Sequence, residues 1–276
     1  VTNAMALEAV DVLIVAVKTY DTEPALRPLS KLQVRCAFSV QNGVRKDEPL
    51  VARWSKDHVA GAISMLGGEV LTTPSDQPLE VRYDMAAATV LGSLGTASPE
   101  PSQELSVEEV AAALRYAELV ANTSDDIRAV EWSKFVGWSG VSAVAVLTRL
   151  ATAAFLSDPR TALIAARIMR ETAAVARALG VNVNATGMAR AEVLDGTEEQ
   201  AVAALLEQGA HMQANSPLFR QSILQDAGRG RPLEVDETLG YSLEQANRLG
   251  IEAPTLDFSC RILRGISDAH RDARQA

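Results

Sequence analysis

The sequence predicts an α/β chain: an incomplete parallel sheet with crossover helices over residues 1–124, then an all-helical part over residues 125–276. Three observations predict it. Apolar runs at residues 12–17, 35–40 and 59–65 alternate with helix-forming segments, and a β-α-β-α-β order calls for parallel strands. The strand pattern stops near Ser124. Beyond it, helical periodicity with recognisable caps and breakers runs to the end.

The elements follow in order. Val12–Val17 is an uninterrupted apolar run, the mark of a strand buried on both faces. Glu23–Leu32 reads as a short helix, with Pro24 allowed in its first turn. A second strand at 35–40, a helix at Asp47–Ser55 and a third strand at Val59–Met65 complete the repeat. Val70–Leu94 then changes character. Thr73-Pro74-Ser75-Asp76 is a turn before Leu79–Tyr83, and a second apolar stretch follows at Ala88–Leu91, so an antiparallel extension of the same sheet is expected. Ser98-Pro99-Glu100-Pro101-Ser102 reads as a loop, and Ser106 with Glu109 as a capping box. Asp125–Leu147 is a long helix. Asp158-Pro159 opens another that runs to Gly180. Further helices are expected at about Thr197–Gly209, Asp236–Leu249 (closed by Gly250 and Pro254) and Thr255–Asp272.

Composition narrows the function. The chain has 276 residues, 47% of them apolar, enough for one large or two ordinary domains. A net charge of −9 argues against a nucleic-acid surface, which needs clustered Lys and Arg. It leaves room for an anionic small molecule in a locally positive pocket. Cys36 and Cys260 suggest no disulfide scaffold, so a reducing cytoplasm is the expected home. No signal peptide opens the chain, and no uncharged run approaches the roughly 18 residues that span a bilayer. His58, His211 and His270 are scattered without metal-ligand spacing, and no metal site is assigned.

A dinucleotide-binding domain normally begins with a strand, a Gly-x-Gly-x-x-Gly turn and a helix that holds the pyrophosphate. Residues 1–35 contain no such turn, and Gly67-Gly68 and Gly92–Gly95 are not followed by a helix pattern. Val1-Thr2-Asn3-Ala4 runs straight toward the first strand. The expectation is a Rossmann-like sheet whose first strands lie outside the sequence, whether lost in evolution, removed from the polypeptide or supplied by another chain.

Several polar residues could carry chemistry. Gln41-Asn42-Gly43 directly follows the second strand, and ligands of open α/β sheets sit at that carboxyl edge. Asn42 could equally form an Asx-turn with Gly43. Lys18 ends the first strand, where it either neutralises an anionic ligand or reaches solvent. Lys134 shares a helix face with Trp138, Val141, Ser142 and Ala145. Such neighbours desolvate an ammonium and tune it for proton transfer; the alternative is a surface lysine beside Glu131. Glu234 stands before a helix, able to cap it or to accept a bond from a substrate hydroxyl. Ser222 could be an N-cap.

The order of these segments is more specific than any one of them. Val17-Lys18-Thr19-Tyr20, then Gln41-Asn42-Gly43, then Asp125-Asp126-Ile127-Arg128 with Trp132 and Lys134, then Ser222 with Gln225-Asp226, and Pro232, Glu234 and Asp236 together resemble the ketopantoate reductase (2-dehydropantoate 2-reductase) family. Arg248–Thr255 fits it as well. The resemblance spans the whole chain and leaves unmatched roughly the first 70 residues of the family, about a βαβ unit and its extension. It implies an NADPH-dependent reductase of a 2-keto acid or related ketone, provided that the missing first strands exist natively, with a helical substrate and dimerisation domain and an active site between the domains. The Ala-rich helix faces, which pack closely, add the expectation of a homodimer. Lys134 would be the general acid and Glu234 would hold a substrate hydroxyl. Asn42 would lie near nicotinamide and substrate, Ser222 would contact the substrate carboxylate, and Lys18, Gln41 and Gly43 would line the cofactor side. Trp138 and Ser142 stand where the family has asparagines, which points to a substrate other than ketopantoate. Two other readings remain open: a non-redox descendant using Lys134 and Glu234 for cofactor-free acid–base chemistry or small-molecule binding, and a partner-binding module.

Overall fold

The computed structural model describes residues 7–71, 80–85, 87–95 and 105–275. Two compact units emerge, one of Val1–Gly67 with Met85–Glu131, the other of Gly68–Asp84 with Trp132–Ala276. The turn expected at Thr73–Asp76 and the loop at Ser98–Ser102 lie outside the described residues.

The strands and helices of the first part of the chain are β1 (Ala9–Val15), α1 (Thr22–Leu26), β2 (Gln33–Ser39), α2 (Glu48–Trp54), β3 (Val59–Ser64), β4 (Gly67–Val70), β5 (Val81–Met85), β6 (Thr89–Ser93), α3 (Val107–Tyr116) and β7 (Ala121–Thr123). The main sheet has the order β1-β2-β3-β6-β7. β1, β2 and β3 are parallel, as the alternating pattern predicts, and β6 returns antiparallel to β3 with Ala62 opposite Leu91. Both faces are covered. Ala37 packs with Leu26, Leu29 and Leu50 on one side, and Cys36 and Phe38 pack with Val110 and Ala111 of α3 on the other. Ser106 and Glu109 form the expected capping box at the head of α3.

Three expectations for this part are corrected, and one strand is added. The helix expected at Glu23–Leu32 is one α turn flanked by 3-10 turns at Thr19–Asp21 and Arg27–Leu29. Pro28 has no N–H to give a longer α-helix. β1 is only partly buried: Leu13 and Val12 pack against the clusters on opposite faces, but Ile14 is exposed, so the fully buried strand expected there is not observed. The antiparallel extension is only half right. β6 joins the main sheet, but β4 and β5 form a separate two-stranded ribbon, because β3 already has β2 and β6 as neighbours and offers no edge. β7, unforeseen, is too short for a period-2 signal.

The helical part consists of α4 (Ile127–Thr148), α5 (Thr152–Leu156), α6 (Pro159–Ala178), α7 (Ala191–Asp195), α8 (Glu198–Asn215), α9 (Ser222–Gly228), α10 (Leu239–Leu249) and α11 (Pro254–Gln275). Local chemistry explains most of the ends. Asp126 accepts from the Ala129 amide at the head of α4 (3.0 Å), and Asp158 caps α6 through the Arg160 amide (2.9 Å). Gly250 closes α10 in the left-handed region (φ 68°). Glu171 of α6 accepts from the Thr255 and Leu256 amides (3.1 and 2.7 Å), two of the orphan donors of α11. α5 and α7, each a little over one turn, escaped the sequence reading. The ribbon belongs with this unit: Gln225 and Arg229 of α9 donate to the Gly68 and Val70 carbonyls (3.4 and 2.9 Å). No helix among the described residues is long and apolar enough to cross a membrane.

Candidate functional site

The first unit gathers four of the sequence-predicted residues at one edge. β1 and β2 run parallel, so the segments leaving Val15 and Ser39 emerge on the same side of the sheet. Lys18 lies on the first segment, half-buried, and Gln41, Asn42 and Gly43 on the second. Gln41 staples the two together. Its side-chain nitrogen donates to the Val17 carbonyl (2.7 Å) and the Thr22 hydroxyl (2.8 Å), and its side-chain oxygen accepts from Ser39 (2.8 Å). That amide shapes the loop from within. Gly43 sits at φ 96°, a conformation that favours glycine and lets the chain turn back toward α2.

Beside this loop lies a group of charges that the sequence reading missed. Lys46, Asp47 and Glu131 are packed together, with side chains 1%, 10% and 6% exposed. The Lys46 ammonium donates to Asp47 Oδ2 (2.9 Å) and to Glu131 Oε1, which also accepts from the Ala62 amide (3.0 Å). The local fold explains why Glu131 arrives there. The β2–β3 ladder ends at Phe38 opposite Ala60, and Glu131 takes the Ala62 amide beyond it. Gly61 and Gly92 face each other across β3 and β6, and a Cβ on Gly92 would stand 2.5 Å from Ile127 Cβ. The paired glycines thus let the first turn of α4 settle onto the sheet. The available signal was a carboxylate one turn from Ile127, the one acidic residue of a largely apolar helix.

Burial pushes the Glu131 carboxyl up to about 8, with Asp47 adding to the rise and Lys46 opposing it. Lys46 is held above its usual value: its two carboxylate partners together outweigh burial, the largest single influence. A raised carboxyl means the folded chain binds a proton that the unfolded chain releases near 4.5. That stabilisation is full below the unfolded value and is lost as pH rises through the folded one. Melting temperatures measured from roughly pH 5 to 9 should therefore fall for the wild type and flatten for Glu131→Gln. Parallel curves would show that Glu131 does not titrate in this window.

The second unit carries the other predicted residues. Lys134 and Trp138 occupy successive turns of α4 and are half-exposed on a helix that is otherwise largely buried from Ala129 to Val146. Trp138 stacks on Phe135 (5.8 Å between centroids, planes 23° apart). The opposite face of α4 packs on α6, where Ser139 donates to Thr172 (3.1 Å). Ser142 is fully buried and its hydroxyl makes no hydrogen bond.

Glu234 is buried at the centre of a tight turn, in which the Val235 amide bonds the Leu233 carbonyl (2.9 Å). The Leu233 amide donates to Ser267 of α11 (3.0 Å), and the Thr238 hydroxyl donates to the Glu234 carbonyl. The backbone of Glu234 is therefore fixed on both sides. α10 begins at Leu239, later than the sequence pattern indicates, so Glu234 does not cap it. Ser222 is likewise not an N-cap: it is the first residue of α9, and Gln221 precedes it without a side-chain capping bond. Tyr241 of α10 meets Trp132 of α4 (6.3 Å between centroids), joining the element that follows Glu234 to the helix that carries Lys134. Among the described residues no group of His, Cys, Asp and Glu could hold a metal ion.

Comparison with known proteins matches both parts of the chain. Residues 126–267 match the family described as Ketopantoate reductase PanE/ApbA C terminal, and residues 1–95 match Ketopantoate reductase PanE/ApbA. A 2-dehydropantoate 2-reductase of Archaeoglobus fulgidus is 25% identical over 260 residues, which is 94% of this chain and 77% of that protein. Among solved structures, a PanE/ApbA family ketopantoate reductase from Ralstonia eutropha superposes with a TM-score of 0.74 at 23% identity, covering 97% of this chain and 79% of the other. A D-mandelate dehydrogenase in a ternary structure with NADH and anilino(oxo)acetate gives 0.77 at 17% identity, covering 96% and 78%.

Proposed function

The chain belongs to the ketopantoate reductase family, and from that premise we propose that it reduces a 2-keto acid with NADPH. The observation that supports this best is Lys134, a half-exposed cation on a helix otherwise largely buried in its unit, which the resemblance implies to be the catalytic lysine. The residues of the first unit suit the nicotinamide end of a dinucleotide, while the glycine turn that would hold its pyrophosphate is not among residues 1–35 and would belong to the missing first strands. A loop bent at Gly43 and stapled by Gln41 stands at the carboxyl edge of parallel strands beside the Lys18 cation.

The bound dinucleotide supplies the hydride. As the ketone carbon accepts it, the ketone oxygen gains negative charge. The Lys134 ammonium stabilises that charge and transfers its proton to the oxygen, leaving a 2-hydroxy acid and a neutral amine that solvent reprotonates. Glu234, on its fixed turn, accepts a hydrogen bond from a substrate hydroxyl, and Ser222 binds the carboxylate. Asn42 orients the nicotinamide side. Ser142, fully buried with its hydroxyl unused, backs the helix that carries Lys134 and Trp138 and does not itself reach a substrate.

Trp138 and Ser142 replace amides with a ring and a small hydroxyl, which favours a more apolar 2-keto acid than 2-dehydropantoate. The test is NADPH oxidation with a series of 2-keto acids graded in polarity, and the more apolar side chains should give the higher kcat/KM. Trp138→Asn should shift that ratio toward 2-dehydropantoate by about tenfold, the scale of one side-chain contact in a specificity pocket. No oxidation with any 2-keto acid would overturn the reading.

A further inference from the structure

Three residues after Gly43 stand buried charges that the proposed reaction does not use. We propose that Lys46, Asp47 and Glu131 form a positioning triad, which pins the loop carrying Asn42 and Gly43 to β3 and to the first turn of α4 and releases it when the triad loses a proton. Only the consequence for cofactor binding rests on the function proposed above.

The loop is clamped at two points. At its start, Gln41 is bonded to Val17 and Thr22; at its end, the Lys46 ammonium is bonded to Glu131, 85 residues away in sequence. Glu131 is anchored in turn on the Ala62 amide. Asn42–Arg45 thus spans two fixed ends. A buried ion group contributes little net stability compared with apolar packing, because desolvation offsets the attraction, but its hydrogen bonds are directional and fix position.

Charge balance makes the clamp sensitive to protons. The charged groups that face Glu131 are Lys46 and Asp47, while β3 contributes only the Ala62 amide. One ammonium cannot neutralise two carboxylates, and Asp47 Oδ1 is already buried without a hydrogen bond. With a proton on Glu131 the group is neutral. Without it, a net negative charge is sealed at the base of the loop, where burial costs more than the Lys46 ammonium offsets and Asp47 adds repulsion, so opening the loop to water relieves the group. An anionic dinucleotide would then meet a loop both looser and more negative.

Hydrogen exchange of the Asn42–Arg45 amides in the full chain, corrected for intrinsic rates, tests the proposal. Protection should fall about tenfold between roughly pH 6.5 and 9 in the wild type and stay level in Glu131→Gln, with the β2 amides Cys36–Phe38 unchanged in both. The KM for NADPH should rise over the same range in the wild type alone, with kcat following a separate profile. An identical pH response in the two proteins, or loss of protection that spreads to Cys36–Phe38, overturns the triad. If the wild type takes no dinucleotide, the reductase reading fails while the exchange data still decide this one. Should Glu131→Gln not fold, the wild-type profile decides alone, and constant loop protection sinks the idea.

Discussion

Lys134→Ala is expected to lower turnover by a factor on the order of 100 or more, the usual share of a positioned general acid. Removing the ammonium takes away both the charge that stabilises the ketone oxygen and the proton that quenches it. Water must then supply the proton without orientation. The loss should fall on kcat and kcat/KM together, because the interaction strengthens only as hydride arrives. Lys134→Arg should not restore the rate. A guanidinium keeps the positive charge but does not release its proton near neutral pH. The fold should survive, since the residue is half-exposed and alanine favours a helix. Turnover unchanged in Lys134→Ala would remove this residue from the chemistry.

Gly140→Val is expected to destabilise the helical unit by about 3 kcal/mol, at the upper end of overpacking costs. A Cβ at this position would stand 2.5 Å from the Ala165 carbonyl oxygen and 2.7 Å from Met169 Cγ. A methionine can change rotamer, but the carbonyl belongs to the backbone of α6 and yields only if the helix moves. That movement would disturb the Ser139–Thr172 bond one position away and the buried alanines of α6. Gly265, inside α11, is the internal control, since an added Cβ there meets nothing within 4 Å. Gly265→Ala should stabilise the protein by roughly 0.5–1 kcal/mol through helix propensity alone. Urea unfolding of the two variants should therefore move the midpoint in opposite directions. A wild-type midpoint for Gly140→Val would disprove the close approach of α4 and α6.

Much of the fold was legible because its signals are local. Asp158-Pro159, Ser106 with Glu109, and Gly250 act through bonds or dihedral angles within a few residues, and each marks an observed helix end. The β-α-β-α-β rhythm specified parallel strands, and parallel strands place the ends of β1 and β2 at one edge. The Lys18 and Gln41–Gly43 segments therefore share that edge as a direct result of sequence order. Trp138 and Lys134 share a face of α4 by helical spacing alone.

Other features depend on partners far away in the chain. The sequence shows Gln41 as a polar residue after a strand; only the fold commits its amide to Val17 and Thr22. It shows Glu131 as a neighbour of Lys134, with nothing to say that Lys46 and Asp47 come to meet it. It shows extended segments at 59–65, 79–83 and 88–91, while the neighbours of β3 decide that β6 joins the sheet and β4 pairs with β5. Propensity, capping and periodicity are properties of adjacent residues, so the sequence alone determines them. The burial of a charge and the edge a strand finds depend on what distant segments leave unpaired, and only packing in three dimensions decides those.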